Sequence, residues 1–315
     1  MPLHNSSSSD IKKVLITGGA GFIGSHLAEA LVDARYKVCV YDNLSSGDLK
    51  NLDSIMTQIE FIEGDLLDFD LLRKTSAGCC CIFHLAAIPN IAESIHHPVP
   101  VHQVNTLGTL NVLEAAKTHH ARVVYSSSAA IYGDNPTLPK EENLPAEPIS
   151  PYGTQKLLGE HYLGYYHRFH GVEGIALRYF NIYGPRQNPT SPYSGVITKF
   201  KERLDKNQAP IVYGDGSQTR DFIYVRDVVM ANLLSMTTSL PFAILNVGTG
   251  TSLSVLELAH EMIDMQGKAQ EIQFEDARDS DILHSVCDPS RAKKVLGFEA
   301  LTSLREGLHQ TIDAH

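Results

Sequence analysis

A chain of 315 residues that is 43% hydrophobic is long enough to bury one large core, as a single big domain or two closely packed ones. Its 36 acidic residues outnumber 26 basic ones, and the formal net charge of −10 argues against nucleic acid or an anionic membrane surface as partners. The uncharged stretch near residues 78–92 is too short to span a bilayer and contains His84 and Pro89.

The five cysteines predict reduced thiols in a cytoplasmic protein. They stand at positions 39, 79, 80, 81 and 287, and none has the C-x-x-C spacing of a redox or zinc motif. The first ten residues contain no apolar signal core, which also favours the cytoplasm. His260-Glu261 is followed by Asp264 where the H-E-x-x-H zinc motif needs a second histidine, so we expect no metal site.

Short β-rich segments alternate with helical ones through the first half of the chain. This alternation predicts an α/β fold with a Rossmann-like, doubly wound parallel sheet that is covered by helices on both faces. The predicted strands are residues 13–17, 37–41, 60–63, 80–84, 122–126 and 174–178. The predicted helices between them include residues 22–34, 101–118 and 152–170.

After residue 179 the pattern becomes irregular, with proline and glycine clustered in NIYGPRQNPTSPYSG. This part predicts a smaller C-terminal α/β lobe that packs over the carboxyl ends of the strands and binds the substrate. A helix near 225–236 and a strand near 244–247 are expected to return to the main sheet. The predicted first domain is therefore residues 1–178 plus about 225–247, and the second is about 179–224 plus 248–315.

The segment KVLITGGAGFIG at residues 13–24 predicts a dinucleotide site. Gly18, Gly21 and Gly24 form G-x-x-G-x-x-G between a strand and a helix. Glycine permits positive φ in such a turn and lets a pyrophosphate approach the backbone. Phe22 and Ile23 begin the helix, whose first amide groups carry partial positive charge.

Two aspartates follow at the separations that such a site requires. Asp42 ends the second predicted strand, where a carboxylate accepts hydrogen bonds from the adenosine ribose hydroxyls. It would repel a 2′-phosphate, so NAD is favoured over NADP. Asp65, which lies between Gly64 and Leu66 after the third strand, is expected to flank the adenine. An aspartate after a strand is also a common helix cap, and this alternative stays open.

Tyr152 and Lys156 in SPYGTQK predict redox chemistry with a tyrosine as acid and base. Four residues apart on a helix, the phenol and the ammonium group lie on one face. The pKa of tyrosine is about 10 in water, and lowering it to about 7 takes about 4 kcal/mol of phenolate stabilisation. One cation about 4 Å away supplies a similar amount, so Lys156 together with an oxidised nicotinamide ring is expected to suffice. Ser128, in YSSSAAIYG after the fifth strand, is expected to hydrogen-bond the substrate oxygen and share its proton with Tyr152.

The order of these motifs resembles the extended short-chain dehydrogenase/reductase family. The segments that carry the resemblance are TGGAGFIGS, YDNLSSG, GDLLD, HLAA, SSSAAIYG, YGTQK, RYFNIYGPRQ, RDFIYVRDV and NVGTG, and they extend over nearly the whole chain. Within the family the chain is similar to nucleotide-sugar 4-epimerases. The resemblance implies tightly bound NAD and a homodimer formed through a four-helix bundle. The stretches 101–118 and 152–170 are candidate dimer helices, although such faces bury equally well inside a monomer.

The resemblance also implies roles for individual residues. Ser128, Tyr152 and Lys156 match the catalytic triad of the family. The residues expected to bind NAD are Gly18, Gly21, Phe22, Ile23, Gly24, Asp42, Asn43, Asp65, Leu66, Ala86, Ala87, Asn105, Tyr152, Lys156 and Tyr179. The residues expected to bind a UDP-sugar are Ser128, Asn181, Arg220, Arg278, Asp281 and Ser285. Forked guanidinium groups suit the two charges of a diphosphate, whereas the alternative for a single arginine is a surface residue.

The expected reaction is NAD-dependent epimerisation at C4 of a UDP-hexose through a 4-keto intermediate. Related dehydratases and decarboxylases need a further acid or base beside the catalytic serine, and Ala129 and Ala130 stand there in this chain. Ser285 matches a position where large side chains narrow the pocket near sugar C2, so the pairs UDP-GlcNAc/UDP-GalNAc and UDP-Glc/UDP-Gal are both candidate substrates. The alternatives are a UDP-glucuronate 4-epimerase, another nucleotide-sugar oxidoreductase of this fold, and a catalytically silent NAD-binding scaffold.

Overall fold

The structure is a computed structural model that describes residues 11–188, 195–267, 270–277 and 282–314. In chain order its strands are β1 (Lys13–Thr17), β2 (Lys37–Asp42), β3 (Glu60–Glu63), β4 (Cys79–His84), β5 (Arg122–Ser128), β6 (Gly174–Tyr179), β7 (Asn181–Tyr183), β8 (Ile211–Tyr213), β9 (Thr219–Arg220), β10 (Phe222–Tyr224), β11 (Phe242–Val247), β12 (Leu253–Ser254), β13 (Gln273–Glu275) and β14 (His284–Ser285).

The α-helices are α1 (Phe22–Asp33), α2 (Phe69–Thr75), α3 (Ile91–His96), α4 (Pro98–His102), α5 (Gly108–His119), α6 (Pro151–His170), α7 (Val196–Asp205), α8 (Val225–Thr237), α9 (Val255–Met265), α10 (Ser290–Leu296) and α11 (Leu304–Ile312). Single turns of 3₁₀-helix occupy Leu49–Leu52, Met56–Gln58 and Ala129–Tyr132, and a π-helical turn occupies Gln103–Leu107.

A parallel sheet forms the centre of the molecule. Within the described residues it has seven strands, in the order β11–β6–β5–β4–β1–β2–β3. Val14, Leu15 and Ile16 of β1 are fully buried, because helices cover both faces of the sheet. The predicted α/β class with a doubly wound, Rossmann-like parallel sheet is confirmed.

The helix predicted at 101–118 begins earlier than its hydrophobic pattern indicates. It starts at Pro98 as α4, passes through the π-helical turn and continues as α5 to His119. Pro98 and Pro100 conceal this start in the sequence, since proline usually signals a helix break. In the first turn a proline is tolerated, because the backbone N–H groups there have no partner within the helix.

The residues after β6 build a second set of small sheets. These pair β7 with β10, β8 with β13, and β9 with both β12 and β14. Helices α7, α9 and α11 close a separate core around Phe200, Leu258 and Leu308. The chain also returns to the main sheet, where β11 pairs with β6 along its whole length and α8 packs on α1. The exact division into two domains stays a prediction.

The five cysteine thiols are free. Cys39, Cys79, Cys81 and Cys287 are buried, whereas Cys80 is exposed at the start of β4. In the part of the chain that the structure describes, no helix is both long enough and apolar enough to cross a membrane.

Candidate active site

A cleft of about 480 Å³ opens at the carboxyl ends of the strands. It lies where β1 has β2 on one side and β4 on the other, the point at which the strand order reverses and α/β proteins bind their ligands. The predicted residues that line it are Gly18, Gly21, Phe22, Ile23, Gly24, Asp42, Asn43, Asp65, Leu66, Ala86, Ala87, Ser128, Tyr152, Lys156 and Tyr179. The structure thus brings the predicted cofactor and catalytic residues to one place.

The glycine turn after β1 fits a dinucleotide. Gly18 has φ of +71°, and a Cβ there would lie 2.7 Å from the backbone nitrogen of Ala86. Gly24 packs so closely on the turn that a Cβ would overlap the carbonyl oxygen of Gly18. Gly21 begins α1 without a side-chain cap, and the first turn of α1 contains no acidic residue. The free amide groups of that turn are therefore available to a pyrophosphate.

Asp42 and Asp65 are held at the cleft edge by their own loops. Asp42 accepts hydrogen bonds from the backbone N–H groups of Ala20 (2.9 Å) and Leu44 (2.8 Å). A carboxylate has about four acceptor positions, so two remain for ribose hydroxyls. Asp65 accepts from the Asn43 side chain at 3.0 Å, which joins two predicted cofactor residues.

The helix-cap alternative for Asp65 is wrong. The cap of α2 is Asp68, whose carboxylate accepts from the Leu71 N–H. Asp65 instead accepts from the Leu67 N–H within its own loop, at 2.9 Å. Its contact with adenine stays a prediction.

Asn105 does not line the cleft, in contrast to the expectation from the resemblance. Its side chain is 3% exposed and lies behind the loop that follows β4. Its amide accepts from the Ile88 N–H (2.8 Å) and donates to the Ile88 carbonyl (3.0 Å) and to Gln155 (2.9 Å). Asn105 therefore holds the cleft wall against α6 instead of facing the ligand.

A buried histidine that the sequence reasoning did not single out supports the same wall. His84 Nδ1 lies 2.9 Å from the Thr17 hydroxyl, and Nε2 lies 2.9 Å from the Thr109 hydroxyl. Thr109 donates its proton to the Asn105 carbonyl, so it accepts from Nε2–H, and Nδ1 accepts from Thr17. Burial and the charge of Lys156 lower the pKa of His84 to about 3. His84 is thus a neutral structural group, and the segment HLAA was its only signal.

Helix α6 presents Tyr152 and Lys156 to the cleft. Ser150 caps the helix by accepting from the Gly153 N–H, and Pro151 occupies its first turn. Tyr152 is 9% exposed and Lys156 is 3% exposed. Lys156 donates to the Ser126 carbonyl at 2.7 Å, and its ammonium nitrogen lies 5.9 Å from the centre of the Tyr152 ring.

Ser128 lies at the end of β5, opposite Tyr152. Its hydroxyl caps the following 3₁₀ turn by accepting from the Ala130 N–H at 3.1 Å. It also interacts with the Tyr152 phenol and thereby lowers the pKa of that group. Ser128, Tyr152 and Lys156 thus face the same cleft.

Burial governs the electrostatics of this group more strongly than the attraction between its members. It raises the pKa of Tyr152 to about 12, and the bond from Ser128 only partly opposes this rise. Burial also lowers the pKa of Lys156 to about 7. Lys156 alone therefore does not make the phenol acidic in the cofactor-free protein. The expected contribution of an oxidised nicotinamide ring stays a prediction.

Ser128 lines the cleft, whereas the other predicted substrate residues within the described chain gather in the second lobe, outside that lining. Arg220 of β9 and Ser285 of β14 are register partners. The backbone N–H of Asn181 donates to the carbonyl of Asp221, next to Arg220. Predicted residues Arg278 and Asp281 lie outside the described residues.

Several cleft residues were not predicted. The segment YDNLSSG supplies Ser45, Ser46 and Gly47, and RYFNIYGPRQ supplies Phe180, Ile182 and Gln187. Both segments carried the family resemblance. The only sequence signal for these residues was therefore that they lie in motifs of the family.

Comparison with known proteins places the chain in a family. Residues 14–248 match the model of the NAD dependent epimerase/dehydratase family. A UDP-N-acetylglucosamine 4-epimerase from Methanobrevibacter ruminantium, solved with UDP-N-acetylmuramic acid, is 38% identical with a TM-score of 0.92, over 96% of this chain and 97% of that one. A UDP-glucose 4-epimerase from Thermotoga maritima, solved with UDP-glucose, is 37% identical with a TM-score of 0.92 and the same coverage.

A third structure contains the cofactor. The UDP-glucose 4-epimerase of Thermus thermophilus, solved with NAD, is 36% identical with a TM-score of 0.87, over 96% of this chain and 98% of that one. The chain belongs to the NAD dependent epimerase/dehydratase family. The predictions of an extended short-chain dehydrogenase/reductase, of an epimerase enzyme and of NAD as its cofactor are confirmed.

Replacing Gly18 by alanine should weaken NAD binding at least about tenfold, which corresponds to about 1.4 kcal/mol. The new Cβ would both strain a positive φ and press on the backbone at Ala86. Titration of the cofactor-free variant with NAD measures the change.

Gly78 offers a matched control. Its φ is +73°, but a Cβ there would meet nothing within 4 Å. Gly78→Ala should therefore cost about 1–2 kcal/mol of unfolding free energy and leave NAD affinity unchanged. Equal losses of NAD affinity in both variants would contradict the role of close approach at Gly18.

Lys156→Met should stabilise the cofactor-free protein. The pKa of Lys156 falls from 10.5 to about 7 on folding, so the unfolded chain binds this proton more tightly. The resulting cost to folding is absent above about pH 10.5, grows as the pH falls towards about 7, and is constant below. Urea unfolding should show a gain of a few kcal/mol near pH 7 and a smaller gain near pH 9.5.

Lys293→Met is the control for that measurement, because Lys293 is exposed and should show no gain that depends on pH. A Lys156→Met protein that is no more stable than the wild type at either pH would show that the buried ammonium group carries no such cost.

Proposed function

We propose that the protein interconverts the C4 epimers of a UDP-hexose and that UDP-GlcNAc and UDP-GalNAc are among its substrates. The observation that carries this proposal is the junction of Ser128, Tyr152 and Lys156 at a cleft that fits a dinucleotide. Such a group removes and returns the proton of an alcohol while hydride leaves and returns. The family and the solved relatives support the same chemistry.

In the mechanism, bound NAD⁺ supplies the hydride acceptor and a positive charge near the phenol. Tyr152 takes the proton of the 4-hydroxyl as C4 is oxidised to the ketone. Ser128 donates a hydrogen bond to the substrate oxygen and keeps it beside the phenol. Lys156, which the Ser126 carbonyl holds in place, stabilises the phenolate. After the 4-keto sugar has turned about its diphosphate linkage, Tyr152 returns the proton as C4 is reduced on the other face.

The residues next to Ser128 support epimerisation over elimination or decarboxylation. Ala129 and Ala130 form the 3₁₀ turn that begins at Ser128. Neither side chain can transfer a proton. The 4-keto intermediate is therefore left with one outcome that this group catalyses, the return of hydride.

We assign the nucleotide to the second lobe. Arg220, Arg278 and Asp281 are proposed to hold the diphosphate and the uridine ribose, and Asn181 to contact the substrate beside them. Ser285 is the register partner of Arg220, and we propose that its small side chain leaves room for an N-acetyl group. This small side chain supports N-acetylated substrates, although plain hexoses also fit.

Incubation with UDP-GlcNAc, UDP-Glc and UDP-GlcA in separate reactions, with identification of the products, tests the function. We expect UDP-GalNAc from the first, without added NAD. Turnover of UDP-GlcA alone would favour the glucuronate epimerase. Stoichiometric consumption of added NAD would indicate a dehydrogenase, and no conversion of any sugar would favour a silent scaffold.

Tyr152→Phe should lower kcat by a factor of about 10²–10⁴, because it removes the group that transfers the proton. NAD should stay bound. Tyr36→Phe is the control, since Tyr36 directly precedes β2 at the amino end of the sheet and does not line the cleft. Near-normal turnover by Tyr152→Phe would contradict the assignment of Tyr152 as the acid and base.

We also propose that the protein is a homodimer. Exposed apolar side chains cluster on α3, α4, the π-helical turn and α6, and they are Ile91, Ile95, Val99, Leu107, Tyr165 and Phe169. A second copy of the same surface would bury them, as expected for the helices predicted to form the dimer.

Light scattering tests the dimer. The wild type should have twice the chain mass of 34.6 kDa, and Phe169→Asp should yield the single-chain mass. Leu301→Asp is the control, because Leu301 is 82% exposed and lies away from these helices. A wild type of single-chain mass would refute the proposal.

We further propose a cytoplasmic location. Its support is the set of five free thiols, of which Cys80 is exposed. Exposed free thiols are typical of reducing compartments.

A further inference from the structure

A buried ion pair lies directly behind the catalytic group. Glu160 follows Lys156 by four residues and Tyr152 by eight, so all three lie on one face of α6. Its partner is Arg178 of β6. Glu160 is 1% exposed and Arg178 is 4% exposed. Charges buried this deeply require complete pairing, so their arrangement is tightly constrained.

The guanidinium group of Arg178 uses all of its nitrogens. Nε and Nη2 form a fork with the two carboxylate oxygens of Glu160, at 2.9 and 2.7 Å. Nη1 donates to the Tyr132 hydroxyl at 2.9 Å and to the Glu142 carbonyl at 3.2 Å. A planar fork of this kind fixes both distance and orientation. A lysine would supply the charge without the geometry.

The Glu160–Arg178 ion pair is also hydrogen-bonded to the end of β5. The Ser127 hydroxyl donates to Glu160 at 2.5 Å, and Ser127 immediately precedes Ser128. One residue earlier, the Ser126 carbonyl accepts from Lys156 at 2.7 Å. Two successive residues of β5 are thus bonded to two successive turns of α6. These bonds set the separation between the strand that carries Ser128 and the helix that carries Tyr152.

A second arm of the network extends towards the substrate lobe. Tyr132, bonded to the guanidinium group, donates to the Asn246 side chain at 2.7 Å. Asn246 donates to the Lys140 carbonyl at 2.8 Å. The N–H of Lys140 donates to the carbonyl of Val286, the neighbour of Ser285, at 2.8 Å. Hydrogen bonds therefore connect the catalytic helix to the segment proposed to accommodate the sugar.

We propose that Glu160 and Arg178 are positioning residues: they hold Ser128 against Tyr152 and tie this pair to the segment that carries Ser285. The inference rests on the proposed epimerase function. It requires that loss of the pair impair the chemical step more than the binding of the nucleotide. A pair that served stability alone would leave the rate of each folded, NAD-loaded molecule unchanged.

Glu160→Gln removes the charge and weakens the fork. With rates normalised to bound NAD, kcat should fall at least about tenfold, while KM and the affinity for UDP change less than about threefold. Arg178→Lys keeps the positive charge but loses the paired hydrogen bonds. It should show the same fall in kcat with little change in KM and in the affinity for UDP. The matched control is Glu173→Gln, which breaks an ion pair with Arg122 at the opposite ends of β5 and β6. Its kcat should stay within about twofold of the wild type.

A double variant separates positioning from stability. Glu160→Leu with Arg178→Met removes both charges, and such replacements often restore or raise stability. We expect a melting temperature near that of the wild type with kcat per bound NAD still at least about tenfold low. This variant also provides the measurement if Glu160→Gln does not fold. Recovery of kcat together with the melting temperature would overturn the proposal.

Hydrogen–deuterium exchange supplies a readout besides activity. Peptides covering residues 125–132 and 151–158 should exchange faster in the double variant than in Glu173→Gln, because β5 and α6 are no longer joined. Unchanged exchange in both peptides would overturn the positioning role. If the wild type converts no UDP-sugar, the proposed function fails, and the exchange comparison still decides whether the pair joins the two elements.

Discussion

The burial of a phenol beside an ammonium group is the constraint on which the site depends. Each of the two groups is pushed towards its neutral form, which brings the pKa of Lys156 to about 7 and that of Tyr152 to about 12. The reactive combination, phenolate with ammonium, is therefore the one that the protein interior disfavours. In the proposed mechanism, the positive charge of bound NAD⁺ would oppose this preference and favour the phenolate.

The same constraint explains the surroundings of the pair. A single unpaired charge nearby would displace the equilibrium between Tyr152 and Lys156. His84 is kept neutral between two hydroxyl groups, and its pKa is lowered to about 3. The negative charge of the buried Glu160 is balanced by the Arg178 guanidinium group, which donates two hydrogen bonds to its carboxylate. Neither His84 nor Glu160 therefore adds an unpaired charge beside Tyr152 and Lys156.

Local patterns made much of this structure predictable. The G-x-x-G-x-x-G turn and the Tyr-x-x-x-Lys spacing each extend over a few residues, and the structure places both in one cleft. The alternation of strands and helices predicted the sheet that carries them. Asn105, His84 and Arg178 were misjudged or missed, because their partners are 17 to 67 residues away. A buried polar residue in the sequence does not show whether it faces a ligand or another side chain.

The second lobe is held in place by a buried carboxylate next to Arg220. The fully buried carboxylate of Asp221 accepts from the N–H groups of Thr249, Gly250 and Cys287, and these bonds fix the strand that carries Arg220. Burial raises the pKa of Asp221, and these hydrogen bonds only partly oppose the rise. In contrast, the cleft wall after β4 is apolar, because residues 86–89 are Ala, Ala, Ile and Pro. These side chains neither donate nor accept hydrogen bonds, so they contact whatever occupies the cleft through apolar surface alone, whereas the second lobe is fixed by a network of polar bonds.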